Sequence, residues 1–206
     1  MATIKSNAAK ANTTRAVKET SQDSMERRIA EGIKKRREAL GISANDLAER
    51  SGVSRAMVSK IERQEVSPTA ALLGRICNGL GITLSSLIAS AETTAGPPIS
   101  RATDQPVWRD PDTGLVRTMV TPLNTGSRME IVHVELPSGA EVNYDALYQP
   151  HYDQHVYVLQ GRLTMTYGDD AFELGVGDCI RSRFDVPHGF ANRGRTPCKY
   201  LVVIGR

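Results

Sequence analysis

Apolar residues recur along this 206-residue chain with two different periods, and the change from one to the other divides it. Met25, Ile29, Ile33 and Leu40 fall four, four and seven positions apart, one stripe of a helix, with Lys34, Lys35, Arg36 and Arg37 mostly off it. Gly41 stops that helix. Ser43 begins a second one, with Asp46 closing an approximate capping box and Leu47 and Ala48 facing inward. Gly52 suits the left-handed conformation of a tight helix–helix turn. Ser54 then caps a third helix whose Met57, Val58 and Ile61 point to the core. Pro68-Thr69 opens a fourth with Leu72, Leu73, Ile76 and Leu80, and after Gly81, Thr83 caps a short fifth with Leu84, Leu87 and Ile88. The pattern predicts a five-helix domain over residues 25–90, of a size that folds alone.

Gly96-Pro97-Pro98 ends any helix, and the small polar residues around it mark 91–105 as linker. Beyond it the period falls to two. LVRTMVT, MEIVHVEL, HVYVLQ, RLTMTY, AFEL and KYLVVI read as short strands, punctuated by PSG, GDD, GVGD and RGRTP, with GDD a hairpin tip. Many close strands without intervening helices predict a β-sandwich or barrel over residues 106–206. The fold class is thus α + β in two domains.

Composition adds exclusions. No window approaches the ~18 apolar residues of a membrane span. Residues 1–24 lack the apolar core of a secretory signal and read as a disordered basic tail. Three widely spaced cysteines, Cys77, Cys179 and Cys198, fit a reducing cytoplasm better than a disulfide framework. The whole-chain charge of +3 says little, but its placement says more. Residues 25–67 hold ten basic and seven acidic side chains, whereas 101–206 hold eleven and thirteen, so a polyanionic partner is to be sought at the N-terminal end.

A capped helix, a Gly turn and a second capped helix form a helix-turn-helix geometry, in which the second helix fits a major groove ~12 Å wide. Across about residues 28–88 the chain resembles the Cro/C1-type (XRE) helix-turn-helix family, whose fold is lambda-repressor-like. The matching stretches are the GIS lead into the second helix, LAERSGVS across the turn, and SKIER followed by SPT. The resemblance makes the third helix the recognition helix, with Arg55, Ala56, Ser59 and Lys60 facing the groove. Arg55 would bridge guanine O6 and N7, and Ala56 would touch a thymine methyl. Ser43, Asn45 and Arg63 lie where the family contacts phosphate, with Arg37 a further candidate there, and Ser54 is both cap and contact. Where the family often has a Gln after the position of Ser43, this chain has Ala44.

The C-terminal half resembles a cupin, a double-stranded β-helix or jelly-roll barrel, over roughly residues 128–206. YVLQGRLTMTYGDDAFELGVGD matches its central hairpin. FDVPHGFAN matches its second motif, with Gly177, His188 and Asn192 in place and Arg183 and Asp185 replacing Pro and Gly. The first motif, aligned on Gly161, puts Tyr148, Pro150 and Gln154 where the family has two His and a Glu. Read strictly, the barrel holds no metal, since neither Pro nor an amide replaces an imidazole or carboxylate well. The alternative is a divalent-metal site of His151, His155 and His188, which requires a bulge at the start of the strand, because alternation from Gln154 turns the first two outward. Without metal, the interior suits a small-molecule effector, with Tyr148, Gln154, Val156, Val158, His188 and Phe190 as lining candidates and Arg181 as a carboxylate partner.

These readings combine into a cytoplasmic, nucleoid-associated transcription regulator, not an enzyme and needing no cofactor. It would bind double-stranded DNA as a homodimer, without a membrane partner, and its cupin domain would sense a small molecule and dimerise. The alternative is a metal-dependent cupin enzyme fused to a DNA-binding domain.

Overall fold

The computed structural model describes residues 25–89, 96–123, 125–146, 152–183 and 185–205. Residues 25–39 are helical (α1). Four further helices follow: α2 (Ala44–Ser51), α3 (Arg55–Glu62), α4 (Ala70–Leu80) and α5 (Leu84–Ala89). Each starts where a side chain can satisfy an orphan N–H. Ser43 and Asp46 form a complete capping box, with Asp46 N–H donating to Ser43 Oγ at 3.2 Å and Ser43 N–H to Asp46 Oδ2 at 2.7 Å. Ser54, Thr69 and Thr83 cap α3, α4 and α5 in the same way. Gly52 ends α2 at φ 64°, where a β-carbon would be strained. Met25, Ile29 and Ile33 are buried as their spacing predicts, together with Leu47, Val58, Ile61, Leu73, Ile76, Leu80 and Leu87. Leu40 departs from its expected place: α1 ends one residue before it, so the seven-residue step loses its face and the side chain is exposed. Among the described residues, no helix is long and apolar enough to cross a membrane.

Ten strands follow: β1 (Val107–Arg109), β2 (Val116–Met119), β3 (Met129–Leu136), β4 (Glu141–Tyr144), β5 (Asp153–Gln160), β6 (Leu163–Tyr167), β7 (Asp170–Leu174), β8 (Cys179–Arg183), β9 (His188–Ala191) and β10 (Cys198–Gly205). They pair antiparallel in two sheets, in the orders β1-β2-β3-β10-β5-β8 and β4-β9-β6-β7. The inner faces alternate as a two-residue period requires: Val132, Val134 and Leu136 on β3, and Cys198, Tyr200, Val202 and Ile204 on β10, meet Leu163 and Met165 on β6 and Phe190 on β9. The architecture is a two-sheet sandwich. The barrel expected from the resemblance is corrected to this extent: among the described residues, no strand pairing joins the sheets into a closed ring. Asn192 staples the end of the sandwich, its Nδ2 donating to the carbonyls of Leu136 and Thr196.

Helix α4 packs directly on β4. Gly74 lets it approach: a β-carbon there would lie 2.9 Å from Cδ1 of Tyr144. One turn on, Asn78 Nδ2 donates to the Ala146 carbonyl at 2.9 Å.

Candidate nucleic-acid interface and effector cavity

Recognition by a helix needs a polar face turned to solvent and a rod that does not give way. On α3, Arg55, Ala56 and Lys60 are exposed and Ser59 is half-exposed, while Val58 and Ile61 anchor the opposite face. Ser43, Asn45, Ser54 and Arg63 are exposed around it. Two of these have local partners: Asn45 donates to Glu49, and Arg63 pairs with Glu65 at 2.6 Å. Arg37 has another role than the phosphate contact expected of it. Its guanidinium grips Glu62 through two bonds of 2.7 and 3.0 Å and donates to the Ile42 carbonyl, with its side chain only 14% exposed. It ties the end of α1 and the α1–α2 turn to the last residue of α3, a bidentate pair shielded enough to matter. Its partner Glu62 had no assigned role in the sequence, because nothing local relates positions 37 and 62.

Behind α4, a cavity of ≈ 660 Å³ of atom-free space, including its opening to solvent, lies between the helical domain and the sheets. The sheets contribute Arg117, Tyr144, Gln154, His188, Phe190 and Tyr200 among others, and the helices Gly74, Cys77, Thr83 and Leu84. Three sequence candidates are brought together here. Gln154 is buried, its Nε2 donating to Ser182 Oγ at 3.1 Å, and His188 and Phe190 stand on the facing sheet. The aromatic groups are layered, Tyr144 stacking on His188 at 5.4 Å between centroids and Phe190 on Tyr200 at 5.6 Å. Burial holds His188 below the ordinary imidazole range, opposed by a backbone contact to Val186.

Other candidates fall elsewhere. Arg181 is on the outer face of β8, exposed and paired with Asp153 at 2.7 Å, so it is not a lining residue. Val156 and Val158 are core and do not reach the cavity. His155 points outward, opposite Arg181 and away from His188, because β5 keeps strict alternation from Gln154 without the bulge a three-His site required. Tyr148, Pro150 and His151 lie outside the described residues. Among those described, no three His, Cys, Asp or Glu side chains converge, and a single imidazole beside an amide and phenols is a poor donor set for a divalent ion.

Two lining residues that sequence reading missed are Arg117 and Tyr144. The signal for the first was present: in LVRTMVT, Arg117 shares parity with Leu115 and Met119, both buried. An arginine on the inward parity of a strand is out of place unless it has a task. Burial raises the Cys77 thiol to about 12 and the Tyr144 and Tyr200 hydroxyls above their usual range, and the charge of Arg117 pulls against this at all three.

A capped, solvent-facing helix of helix-turn-helix geometry on one side and a cavity between the helices and the antiparallel sheets on the other define a class: a helix-turn-helix head joined to a two-sheet β domain. Comparison with known proteins agrees. Residues 33–87 match the Helix-turn-helix family and residues 132–204 the Cupin domain family. The chain is 30% identical over 172 residues to the HTH-type transcriptional regulator SutR of Escherichia coli (strain K12), covering 84% of this chain and 91% of that one. It is 23% identical to the HTH-type transcriptional regulator PuuR of the same organism, covering 80% and 88%. A crystal structure of an HTH_3 family transcriptional regulator from Vibrio cholerae superposes with a TM-score of 0.70 at 25% identity, over 89% of this chain and 97% of that one. The chain therefore belongs to the XRE-type HTH transcriptional regulators that carry a C-terminal cupin domain.

Proposed function

We propose that the protein reads a specific duplex sequence through α3 and changes its hold on that sequence when a small molecule occupies the cavity behind α4. The supporting observation for the first half is one helix face. Arg55, Ala56, Ser59 and Lys60 stand clear of the core on a rod braced by Val58, Ile61 and the Arg37–Glu62 clamp. Ser43, Asn45, Ser54 and Arg63 then supply cap, side-chain and backbone donors to the flanking phosphates. The head takes residues 25–90, the sensor 106–206 and the linker 91–105. Such a protein works on the chromosome, in the cytoplasm.

A single head reads too few base pairs for useful specificity, and the protein acts as a homodimer on a two-fold site. The outer face of the six-stranded sheet suits the dimer contact, since Tyr157 and Leu159 on β5 and Met129 on β3 are exposed there. It is not an enzyme on this reading. Among the described residues the cavity offers one imidazole and one rim carboxylate, Asp145, and no paired acid and base.

Selection of bound duplexes from a random pool tests the assignment. The expected product is a pseudo-palindrome bound with a steep salt dependence, several decades of affinity across a few-fold rise in salt. Binding that is flat in salt and indifferent to sequence would remove the regulator reading from this chain.

A further inference from the structure

Resting on the reading of the cavity as an effector site, we propose that it takes a small monocarboxylate, gripped by Arg117, and that the bound molecule bridges the sheet domain to α4 of the head. One guanidinium nitrogen at the cavity wall is unpartnered. Arg117 is the cation of the cavity among the described residues, its Nε is wholly buried, and that nitrogen has no hydrogen-bond partner. A guanidinium nitrogen withdrawn from water without an acceptor is costly, and a carboxylate is the ligand whose two oxygens match the fork that carries it.

The surroundings do not neutralise it. Tyr144, Tyr200 and Cys77, the groups that feel its charge, stay protonated at neutral pH because burial raises all three. The Tyr144 hydroxyl also lacks a geometrically formed hydrogen bond, although it is near enough to Arg117 to be influenced by it. Asp110 is committed to its own turn, accepting from Asp112 N–H at 3.1 Å and Thr113 Oγ1 at 2.7 Å. Asp145 stands exposed at the rim.

One cation beside the rings of Phe190 and Tyr200, with Asp145 kept to the exposed rim and Gln154 committed to Ser182, sets the charge and body of the guest. A phosphate dianion would bring two charges to a single guanidinium, and an amine would face it with like charge. A single carboxylate on a compact, planar or branched apolar body satisfies Arg117 and fills the space beside Phe190 and Tyr200. Because Gly74 and Cys77 of α4 form the opposite wall, such a guest touches both domains at once. It can shift the placement of the head only by binding one arrangement more tightly, and contact with α4 is a physical source of that difference.

The test uses the full-length protein, with thermal shift and titration calorimetry against small carboxylates from acetate through branched 2-oxo acids to benzoate, each beside its amide and the corresponding amine. Carboxylates alone should stabilise. Arg117→Gln should weaken them about 10- to 100-fold, Arg117→Lys by less, and Arg181→Gln, on the outer face, not at all. Should Arg117→Gln fail to fold, the Arg117→Lys affinity series decides. Amide or amine hits, or carboxylate binding indifferent to Arg117, overturn the proposal while leaving a sensor in place. Response to no member of the three sets overturns both the proposal and the sensor reading.

Discussion

The head and the sandwich are held together by interactions of different reach, and their sites inherit the difference. In the head, the helix caps and the exposed face of α3 are local, while the Arg37–Glu62 clamp and the shared core are not. The caps of α2, α3, α4 and α5 each join residues three apart, and the set on α3 proposed to face DNA spans six positions. In the sandwich, the cavity draws Arg117, Tyr144, Gln154, His188 and Tyr200 from five different strands in both sheets. A site that reads a surface can be built from one rigid element. A site that encloses a guest belongs to the topology and is assembled only when distant strands meet.

The largest expected effect tests the local half of that contrast. Replacing Arg55 and Lys60 together by alanine should reduce affinity for the selected duplex by about 100-fold or more, since a good bidentate base contact is worth ~1–3 kcal/mol. Both side chains are exposed, so stability should stay within ~0.5 kcal/mol of the parent. Fluorescence anisotropy and thermal melting, run side by side, separate the two. Undiminished affinity would move readout off α3.

Arg37 gives the next effect, in the opposite currency. Arg37→Ala breaks the two bonds to Glu62 and the one to the Ile42 carbonyl, and should destabilise the head by about 2 kcal/mol. The salt dependence of DNA binding by the remaining folded protein should be unchanged. Were Arg37 a phosphate contact, as its place in the family pattern implies, the slope of log affinity against log salt would fall by about one.

These two arginines also show what a sequence makes legible. The exposure of Arg55 is readable because its neighbours Ser54, Met57, Val58 and Ile61 fix the cap and the buried face of its helix. The role of Arg37 is not, because Glu62 lies twenty-five positions away and only helix packing brings them together. The same holds in the sandwich. Periodicity reveals β3, β5, β6 and β10, long enough to show alternation, whereas β1, β4 and β9, of three or four residues, carry too few positions to display a period. Tyr144 sits on one of those short strands and was missed. His188 and Phe190 sit on another and were found only through the family motif. The outward turn of His155 followed from alternation alone, but the exposure of Arg181 required knowing that β8 pairs with β5 at Asp153. That α4 would wall the cavity has no sequence signal, since contacts between domains leave no period in either one.

The smallest predicted effect bears on whether the two halves are coupled at all. Gly74→Ala places a methyl group where Cδ1 of Tyr144 now lies 2.9 Å away, closer than carbon atoms tolerate. Within α4 the change favours the helix, because alanine is a better helix former than glycine by about 0.5–1 kcal/mol. Against β4 it forces the ring to turn or the helix to retreat, which would also strain the Asn78–Ala146 bond. The substitution should therefore leave DNA affinity without effector near the parental value while shrinking the ratio of affinities measured with and without a cavity-binding carboxylate, by about fivefold for a loss of ~1 kcal/mol of coupling. If that ratio is unmoved and the protein gains the full helix-propensity increment, α4 does not rest on Tyr144 in solution, and the domains communicate by some route other than the wall they share.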